Sequence, residues 1–245
     1  MKVILQGAAS TADFSTNTSQ CSSQQSTMFV ISFDETGEKQ FYYNSNYLAH
    51  MPEVTNLIGQ EEMGEYKFRG KLMKRAPKKE YYIPNEEPPT YKWGQQKINY
   101  PGGDDYSGEP MPPWMIKVKD KINVDFNTNV NHAIIIKYSD GVLNHAPPHQ
   151  DKIPEGTDFF VLSFGEPRKF QLTKSEKTNT GKRKQDGSVK YKYVNTGVVA
   201  WEQYLASGSL LQVTNLGNKK YFHAVPKDKA WSGTARYSLI FRTIF

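Results

Sequence analysis

The chain has 245 residues, a formal net charge of +6 and a single cysteine, Cys21. One cysteine excludes an internal disulfide framework, and no apolar run approaches the roughly 20 residues that span a bilayer. With 37% hydrophobic residues, these features predict a soluble, intracellular protein of the nucleus or cytoplasm with one core. The positive charge favours a polyanionic partner, although an ordinary solvated basic surface gives the same total.

The first half of the chain is predicted to hold few regular elements. Residues 1–27 are expected to form a flexible polar tail, because Ser, Thr, Gln and Asn dominate 8–27 and leave little apolar surface to bury. A short apolar strand is expected at 28–31, and prolines interrupt the segments that follow it. A short helix is predicted at 115–122, directly after a proline pair.

The second half is predicted to be an antiparallel jelly roll or barrel. Short runs rich in β-branched and aromatic residues recur there between turn signals, with no helical spacing between them. About eight such runs suffice for two facing sheets or a closed barrel. The expected strands are Ala133–Tyr138, Phe159–Phe164, Lys169–Thr173, Val189–Val194, Val198–Leu205, Ser209–Thr214, Tyr221–Val225 and Arg236–Phe245.

Three residues form a candidate metal site. His149 and Asp151 are two positions apart, so in an extended segment their side chains project to one face and can converge on an ion. Taken alone, such a pair arises often by chance and is usually an exposed polar turn. A second histidine, His223, lies in the apolar segment 221–225, where a neutral core histidine is the alternative. Two histidines and one carboxylate form the facial triad of non-haem Fe(II) oxygenases.

The last predicted strand carries two arginines on one face. Alternation over 236–242 places Arg236, Ser238, Ile240 and Arg242 on one side and three apolar residues on the other. Buried arginines are costly without anions, and a dicarboxylate ligand would satisfy them through bidentate contacts. An edge strand whose polar face meets solvent is the alternative for this strand in isolation.

Six short segments follow one another in a characteristic order. They are Ile136-Lys137-Tyr138-Ser139-Asp140-Gly141, His149-Gln150-Asp151, Leu162-Ser163-Phe164-Gly165 with Arg168-Lys169-Phe170, Gly208-Ser209-Leu210-Leu211, His223-Ala224-Val225-Pro226, and Arg236-Tyr237-Ser238-Leu239-Ile240-Phe241-Arg242. In this order and spacing the chain resembles the AlkB family of Fe(II)- and 2-oxoglutarate-dependent dioxygenases. It looks closest to the eukaryotic-type branch that dealkylates DNA and RNA.

The resemblance covers residues 126–245 and continues more faintly upstream. It implies a mainly β protein with some α structure, in which 126–245 form a double-stranded β-helix, the jelly roll of this family. It implies that residues 28–125 supply a nucleotide-recognition lid over the mouth of the jelly roll, together with supporting elements. The protein is expected to act as a monomer on nucleic acid, without a membrane.

The resemblance also implies a cofactor set, Fe(II) with 2-oxoglutarate and dioxygen, and a role for each matching residue. His149, Asp151 and His223 would hold the metal and form the catalytic centre. Arg236 would pair with the distal carboxylate of 2-oxoglutarate, Tyr138 and Arg242 would complete its pocket, and Tyr91 and Trp93 would lie beside a flipped base.

The implied activity is the oxidative removal of alkyl groups from nucleobases in DNA or RNA, coupled to decarboxylation of 2-oxoglutarate. Ile136 and Ser238 depart from the family pattern, since both positions usually carry an asparagine, and Ile153 stands where some members have an acidic residue that reads the base. A hydroxylase of the same fold that acts on protein or a small molecule is an alternative, because fold alone does not fix the substrate. A nucleic-acid-binding protein without turnover is another.

Two basic segments are candidate phosphate contacts. The first contains Lys67, Arg69, Lys71, Lys74, Arg75, Lys78 and Lys79, and the second contains Lys182, Arg183 and Lys184 beside a predicted turn at Asp186-Gly187. Such runs grip the backbone of a nucleic acid in some proteins, but they are more often solvated loops.

Overall fold

The computed structural model describes residues 2–7, 28–63, 67–68, 71–72, 78–83, 109–231, 233 and 235–244. The strands are β1 (Lys2–Gly7), β2 (Met28–Phe33), β3 (Lys39–Asn44), β4 (Lys67–Phe68), β5 (Lys71–Leu72), β6 (Lys78–Tyr82), β7 (Glu109–Pro110), β8 (His132–Tyr138), β9 (Ala146–His149), β10 (Phe159–Gly165), β11 (Arg168–Arg183), β12 (Val189–Leu205), β13 (Ser209–Val213), β14 (Tyr221–Val225) and β15 (Arg236–Arg242). The helices are α1 (Glu53–Gly59), α2 (Pro113–Phe126) and α3 (Asn215–Lys220). Among these helices, none is long and apolar enough to cross a membrane.

Two sheets pack face to face. The larger has the strand order β1-β2-β3-β13-β10-β15-β8-β6-β7, and the smaller has the order β12-β11-β14-β9. Strand β4 pairs with β5 in a separate ribbon. Pairing is antiparallel between the described strands, apart from the parallel contact of β6 with β7. This arrangement confirms the predicted jelly roll, a mainly β fold with few helices.

The core between the two sheets is built from alternate residues of the central strands. Phe159 and Val161 of β10 meet Phe170 and Leu172 of β11 in one buried cluster. Because neighbouring residues of a strand point to opposite faces, the residues between them are directed to the other side of the large sheet.

That other side is covered by helices. Phe160 and Leu162 of β10 and Leu239 of β15 pack with Met115 and Ile122 of α2 in a second buried cluster. Strand β10 is therefore covered on both faces, which explains its nearly continuous apolar sequence. Helix α2 starts at a proline, whose fixed φ suits the first turn, and so it is longer than the 115–122 predicted.

Strands β11 and β12 differ most from the prediction. The sequence indicated a strand ending at Thr173 and two separate strands at 189–194 and 198–205, whereas the structure has two long strands that pair with each other. Gly197, which lies between the two predicted strands, is accommodated as an irregularity within β12, with φ of 76° and a register shift across from Thr173. The result is a long hairpin beyond the core, called the arm (residues 174–200).

The beginning of the chain also differs from its prediction. Residues 2–7 were assigned to the polar tail, but they form β1 and pair with β2 at the edge of the large sheet. Backbone pairing with an available strand edge orders them, which composition alone does not reveal. Residues 8–27 lie outside the described part of the chain.

The double-sided burial of β15 gives a first testable prediction. Leu239 is fully buried against α2, so Leu239→Ala should lower the free energy of unfolding by about 2–5 kcal/mol, because apolar packing is removed and a cavity remains. Chemical denaturation followed by circular dichroism measures this. Val124→Ala, at an 81% exposed position of α2, is the control and should change it by less than about 0.5 kcal/mol. Equal effects of the two substitutions would contradict the packing described.

Candidate functional site

The candidate metal ligands come from one edge of the small sheet. His149 ends β9 and lies directly opposite His223 of β14, and His223 in turn lies opposite Leu172 of β11. Asp151 follows His149 by two residues. The antiparallel register therefore brings together residues that are more than 70 positions apart in the sequence.

The three ligand groups converge within a small volume. One ligand atom from each of His149, Asp151 and His223 lies within 4.8 Å of the others. Oδ1 of Asp151 is 3.6 Å from Nε2 of His149 and 3.7 Å from Nε2 of His223, and the two imidazole centroids are 4.2 Å apart. Two imidazoles and one carboxylate on one side of an ion leave its opposite side open, as Fe(II) oxygenase chemistry requires.

The protonation states suit metal binding. Nδ1 of His149 donates to the carbonyl of Pro147 at 2.8 Å, which leaves Nε2, 3.6 Å from Oδ1 of Asp151, as the ring nitrogen that can face a metal. Burial lowers the pKa of His223 to about 4, helped by nearby His149, and the ring is neutral at physiological pH. Burial acts to raise the pKa of Asp151, but His223 and His149 outweigh it and leave this pKa below the ordinary value. The donor set thus consists of two imidazole nitrogens and one carboxylate oxygen.

Helix α3 orients the segment that carries Asp151. The amide nitrogen of Asp151 donates to Oδ1 of Asn218 at 3.1 Å, and Nδ2 of Asn218 donates to the carbonyl of Asp151 at 2.7 Å. Gln150 donates to the carbonyl of Lys219 at 3.0 Å. Sequence reasoning missed Asn218, because its partners are 67 residues away and no local pattern marks it.

A second polar region lies on the inner face of the large sheet at the far end of β15. Arg236 is fully buried, and its Nη2 donates to Oγ of Ser163 at 3.0 Å. Its Cζ lies 5.2 Å from the centroid of the Tyr138 ring. Within the described residues, Nε and Nη1 of Arg236 have no hydrogen-bond partner. Burial lowers the pKa of Arg236 to about 10, so the side chain stays a cation at neutral pH. A buried cation with unused donors fits a carboxylate ligand.

Arg168 closes this region from the side, although sequence reasoning gave it no role. It is fully buried and donates to the carbonyls of Asp140, Gly141 and Pro226 at 3.1, 2.7 and 3.3 Å. These bonds join the loops after β8 and β14. A Cβ at Gly141 would lie 2.0 Å from the carbonyl oxygen of Asp228, so only glycine permits this approach. The only sequence signal for Arg168 was its place in the segment 168–170, one of those that carry the resemblance to the AlkB family.

The remaining pocket residues lie between the two arginines of β15. Ser238 and Ile136 are opposite each other in the register of β15 and β8, and both are buried. Arg242 is at the other end of the strand, where its charge acts on Asp151. The inner face of β15 is therefore polar at both ends and apolar or hydroxylic in the middle. Ile153 packs at the margin of the inter-sheet core.

Two of the sequence-predicted residues cannot be placed. Tyr91 and Trp93, expected beside a flipped base, lie outside the described residues, as do 64–66, 69–70, 73–77 and the rest of 84–108 in the segment assigned to the lid and its supporting elements. The structure brings the metal triad together and places Tyr138, Arg236 and Arg242 on the facing sheet.

Comparison with solved structures finds distant similarities. The chain is similar to the structure of OsALKBH1, with a TM-score of 0.47 and 16% identity over 87% of this chain and 100% of that one. It is also similar to AviO1 from Streptomyces viridochromogenes, with a TM-score of 0.40 and 8% identity over 83% of this chain and 89% of that one. For a Pseudomonas putida prolyl-4-hydroxylase the values are 0.37 and 10%, over 83% and 92%.

No curated protein matches the chain. A family model, in contrast, matches residues 40–242, a span that contains the metal triad and both arginines of β15. The matched family is described as the 2OG-Fe(II) oxygenase superfamily, and it uses Fe(II), 2-oxoglutarate and dioxygen. Because the match extends over most of the chain, the protein belongs to the 2OG-Fe(II) oxygenase superfamily.

Proposed function

We propose that this dioxygenase removes alkyl groups oxidatively from the nucleobases of DNA or RNA. When bound, Fe(II) and 2-oxoglutarate supply the activation of dioxygen that hydroxylates a C–H bond, with release of succinate and carbon dioxide. A carbon hydroxylated next to a base nitrogen leaves as an aldehyde and restores the base. The resemblance of the sequence to the AlkB family supports this substrate class, and a structural observation supports it independently.

Each protein group has a binding or positioning task in this proposal. His149, Asp151 and His223 hold the metal and leave one side open. Arg236 offers its unused donors to the distal carboxylate of 2-oxoglutarate, and Tyr138 flanks that contact. Because Arg236 and Tyr138 are buried, they would keep water away from bound 2-oxoglutarate and from the groups that react with it.

The arm is the observation that favours nucleic acid as the substrate. It carries seven basic and two acidic side chains, a net +5 within a chain of net +6. It also carries five of the nine exposed large hydrophobic side chains among the described residues: Tyr191, Tyr193, Val194, Val198 and Val199. A concentration of positive charge and exposed aromatic rings on one element is typical of surfaces that hold nucleic-acid strands.

One face of the arm combines both features. Lys177 pairs with Tyr193 and Asn179 pairs with Tyr191 across β11 and β12, so these side chains share a face. Nζ of Lys177 lies 4.6 Å from the centroid of the Tyr191 ring. Stacking of a base on such a ring contributes about 1–3 kcal/mol and tolerates sequence variation, while the ammonium group contacts phosphate.

The position of the arm relative to the metal triad also supports the proposal. It continues from β11, whose Leu172 lies opposite His223, so its base is one strand away from a metal ligand. Ten residues of β11 extend beyond Thr173, which gives a reach of about 30 Å. A nucleic-acid strand that binds along the arm would therefore pass close to the metal triad.

The first basic segment supports the proposal less well. Lys79 is held in ion pairs with Glu61 at 3.1 Å and Glu109 at 2.9 Å, so its charge is already compensated. Lys67 and Lys71 belong to the short ribbon of β4 and β5, and Arg69, Lys74 and Arg75 lie outside the described residues.

A base inside a duplex is out of reach of the metal, so the proposal requires a flipped or single-stranded base. Flipping costs about a few kcal/mol, and less when the lesion already blocks pairing. Alkylated Watson–Crick edges are therefore the preferred targets. Tyr91 and Trp93 remain the proposed stacking partners of the flipped base.

The metal triad gives the test of the activity. The parent protein, supplied with Fe(II), 2-oxoglutarate and a panel of N-methylated oligonucleotides, should remove one methyl mass and form succinate. His149→Ala, Asp151→Ala and His223→Ala should each abolish both products, because two remaining ligands hold Fe(II) poorly. Mass spectrometry follows the oligonucleotide, and metal content is measured after dialysis.

His50→Ala, at an exposed position outside the triad, is the matched control and should behave like the parent. Near-normal turnover in a triad variant would remove that residue from the metal site. Succinate formation without methyl loss on any oligonucleotide would point instead to a protein or small-molecule substrate. Oligonucleotide binding without succinate would indicate a binding protein without turnover.

Arg236 gives a separate test of the cosubstrate site. Arg236→Ala should weaken 2-oxoglutarate binding more than tenfold, since a charge-assisted bidentate contact contributes about 1.5–3 kcal/mol. Titration calorimetry with Mn(II) in place of Fe(II) measures the affinity without turnover. Arg183→Ala, on the exposed arm, is the control and should leave it unchanged. Unchanged affinity in a folded Arg236→Ala protein would rule out the assignment.

The arm predicts a salt effect. Binding of a labelled single-stranded oligonucleotide, measured by fluorescence anisotropy, should weaken steeply with salt. Replacing Lys182, Arg183 and Lys184 together by Ala should reduce the logarithmic slope by about 0.7 for each phosphate that the protein no longer neutralises. The control replaces Lys117 and Lys121, which are on α2, across the large sheet from the arm. Equal slopes for parent and arm variant would remove the arm from the binding surface.

A further inference from the structure

A buried chain of polar side chains lies on the inner face of the large sheet, apart from the metal triad. It joins Arg242 of β15, His132 of β8 and Glu80 of β6, which are 5%, 0% and 8% exposed. Arg242 is opposite His132 in the register of β15 and β8, and β6 pairs with β8 on the other side. Ionisable groups with this little exposure need a specific reason to be inside.

The hydrogen bonds fix the direction of the chain. Nε of Arg242 donates to Nδ1 of His132 at 3.1 Å, so Nδ1 is the accepting nitrogen. The ring proton is therefore on Nε2, which donates to Oε2 of Glu80 at 3.1 Å. If Nδ1 of His132 carried the proton, its N–H would face the Nε–H of Arg242, and two donors cannot hydrogen-bond to each other. The carboxylate of Glu80 thus selects the tautomer of His132 that Arg242 requires.

The charges of the three groups agree with this direction. Burial lowers the pKa of His132, and the positive charge of Arg242 acts in the same sense, so the imidazole is neutral. Burial acts to raise the pKa of Glu80, but the hydrogen bond from His132 and the nearby positive charges outweigh it, and the pKa lies below its ordinary value. The chain therefore runs from a guanidinium through a neutral imidazole to a carboxylate.

Arg242 lies at the metal end of the inner face. It is opposite Phe159 in the register of β10 and β15, and the Phe159 ring is 5.1 Å from that of His223. Arg236 is at the other end of the same face of β15, beside Ser163. The two arginines therefore bracket the space assigned to 2-oxoglutarate.

We propose that His132 and Glu80 are positioning residues, which set the guanidinium plane of Arg242 so that it can bind a carboxylate of 2-oxoglutarate. A hydrogen bond at Nε fixes the plane of a guanidinium and the direction of its two Nη groups. Preorganising this fork before the ligand arrives saves the ordering entropy of a long side chain. The proposal rests on the cosubstrate role of Arg242, and it is independent of whether the substrate is nucleic acid.

The test compares variants that keep or lose the accepting atoms. Glu80→Met removes the acceptor for His132 and frees the ring to take the opposing tautomer, while Glu80→Gln retains an acceptor oxygen. His132→Leu removes the acceptor for Arg242, while His132→Asn can offer an amide oxygen in the place of Nδ1. Calorimetric titration with 2-oxoglutarate and Mn(II) gives the affinity of each protein without turnover.

Glu80→Met and His132→Leu should weaken the binding of 2-oxoglutarate by about tenfold. The affinity of the two amide variants should stay within about threefold of that of the parent. Tyr47→Phe is the control for stability, because it removes a hydrogen bond to Asp125 outside the inter-sheet core. Parent-like affinity in all four variants would overturn the proposal. So would a uniform loss that follows the melting temperature, since that is the result of a merely structural role.

A second measurement needs no variant. Nitrogen NMR of the protein with ¹⁵N-labelled histidine and Zn(II) as a diamagnetic metal reports the tautomer of each ring. The expected result is one histidine ring whose Nδ1 is unprotonated and whose Nε2 is protonated. The signals of this ring should be absent in His132→Asn. Its Nδ1 signal should shift when 2-oxoglutarate is added. Protonation of His132 at Nδ1, or an Nδ1 signal that does not change when 2-oxoglutarate is added, would refute the proposal. Failure of every oligonucleotide as a substrate would leave these outcomes unaffected.

Discussion

The burial of three arginines inside one sandwich is the constraint that organises this structure. Arg168, Arg236 and Arg242 are at most 5% exposed. A buried guanidinium costs several kcal/mol unless its charge and its donors are compensated, so each of the three needs its own solution. The solutions differ, and the proposed roles of the three arginines rest on that difference.

Arg168 is compensated mostly by the protein itself, since three backbone carbonyls accept its hydrogen bonds and the Tyr138 and Trp231 rings lie 5.4 and 5.1 Å from its Cζ. Within the described residues only its Nε has no hydrogen-bond partner. Arg242 is linked to a carboxylate through an imidazole, and its charge is felt by Asp151 at the metal end. Arg236 has one side-chain acceptor and two donors without a described partner. These two donors are the reason why Arg236 is the arginine proposed to bind an anionic cosubstrate.

The sequence predicted the parts of this arrangement that depend on alternation and on motif order. The placement of Arg236 and Arg242 on one face of β15 follows from a period of two, and the ends of β14 were predicted to the residue. The triad could be named because its residue types are few and their order is specific. The solvent-facing alternative for β15 is wrong, because helices and the small sheet cover both of its faces.

Other parts of the site depend on the register between strands and could not be predicted from the sequence. Neither Asn218 behind Asp151 nor Glu80 behind His132 has a local signal, since each meets its partner only after strands or loops from distant segments are paired. The length of β11 was underestimated for a different reason, the exposure of its second half. Residues beyond Thr173 are exposed on both faces, so they carry no hydrophobic period even though their backbones pair.

This contrast in burial has a mechanical consequence. The metal triad and the arginines of β15 are set in a sandwich with close apolar packing, where the displacement of one side chain forces its neighbours to move as well. The arm has no core of its own and relies on cross-strand pairs such as Lys177 with Tyr193, each a small contribution. A two-stranded ribbon of this kind adjusts its twist and direction at little cost, whereas the site cannot. In the proposed function, recognition therefore belongs to the deformable element and chemistry to the rigid one, and a strand bound on the arm can adapt without displacing the metal ligands one strand away.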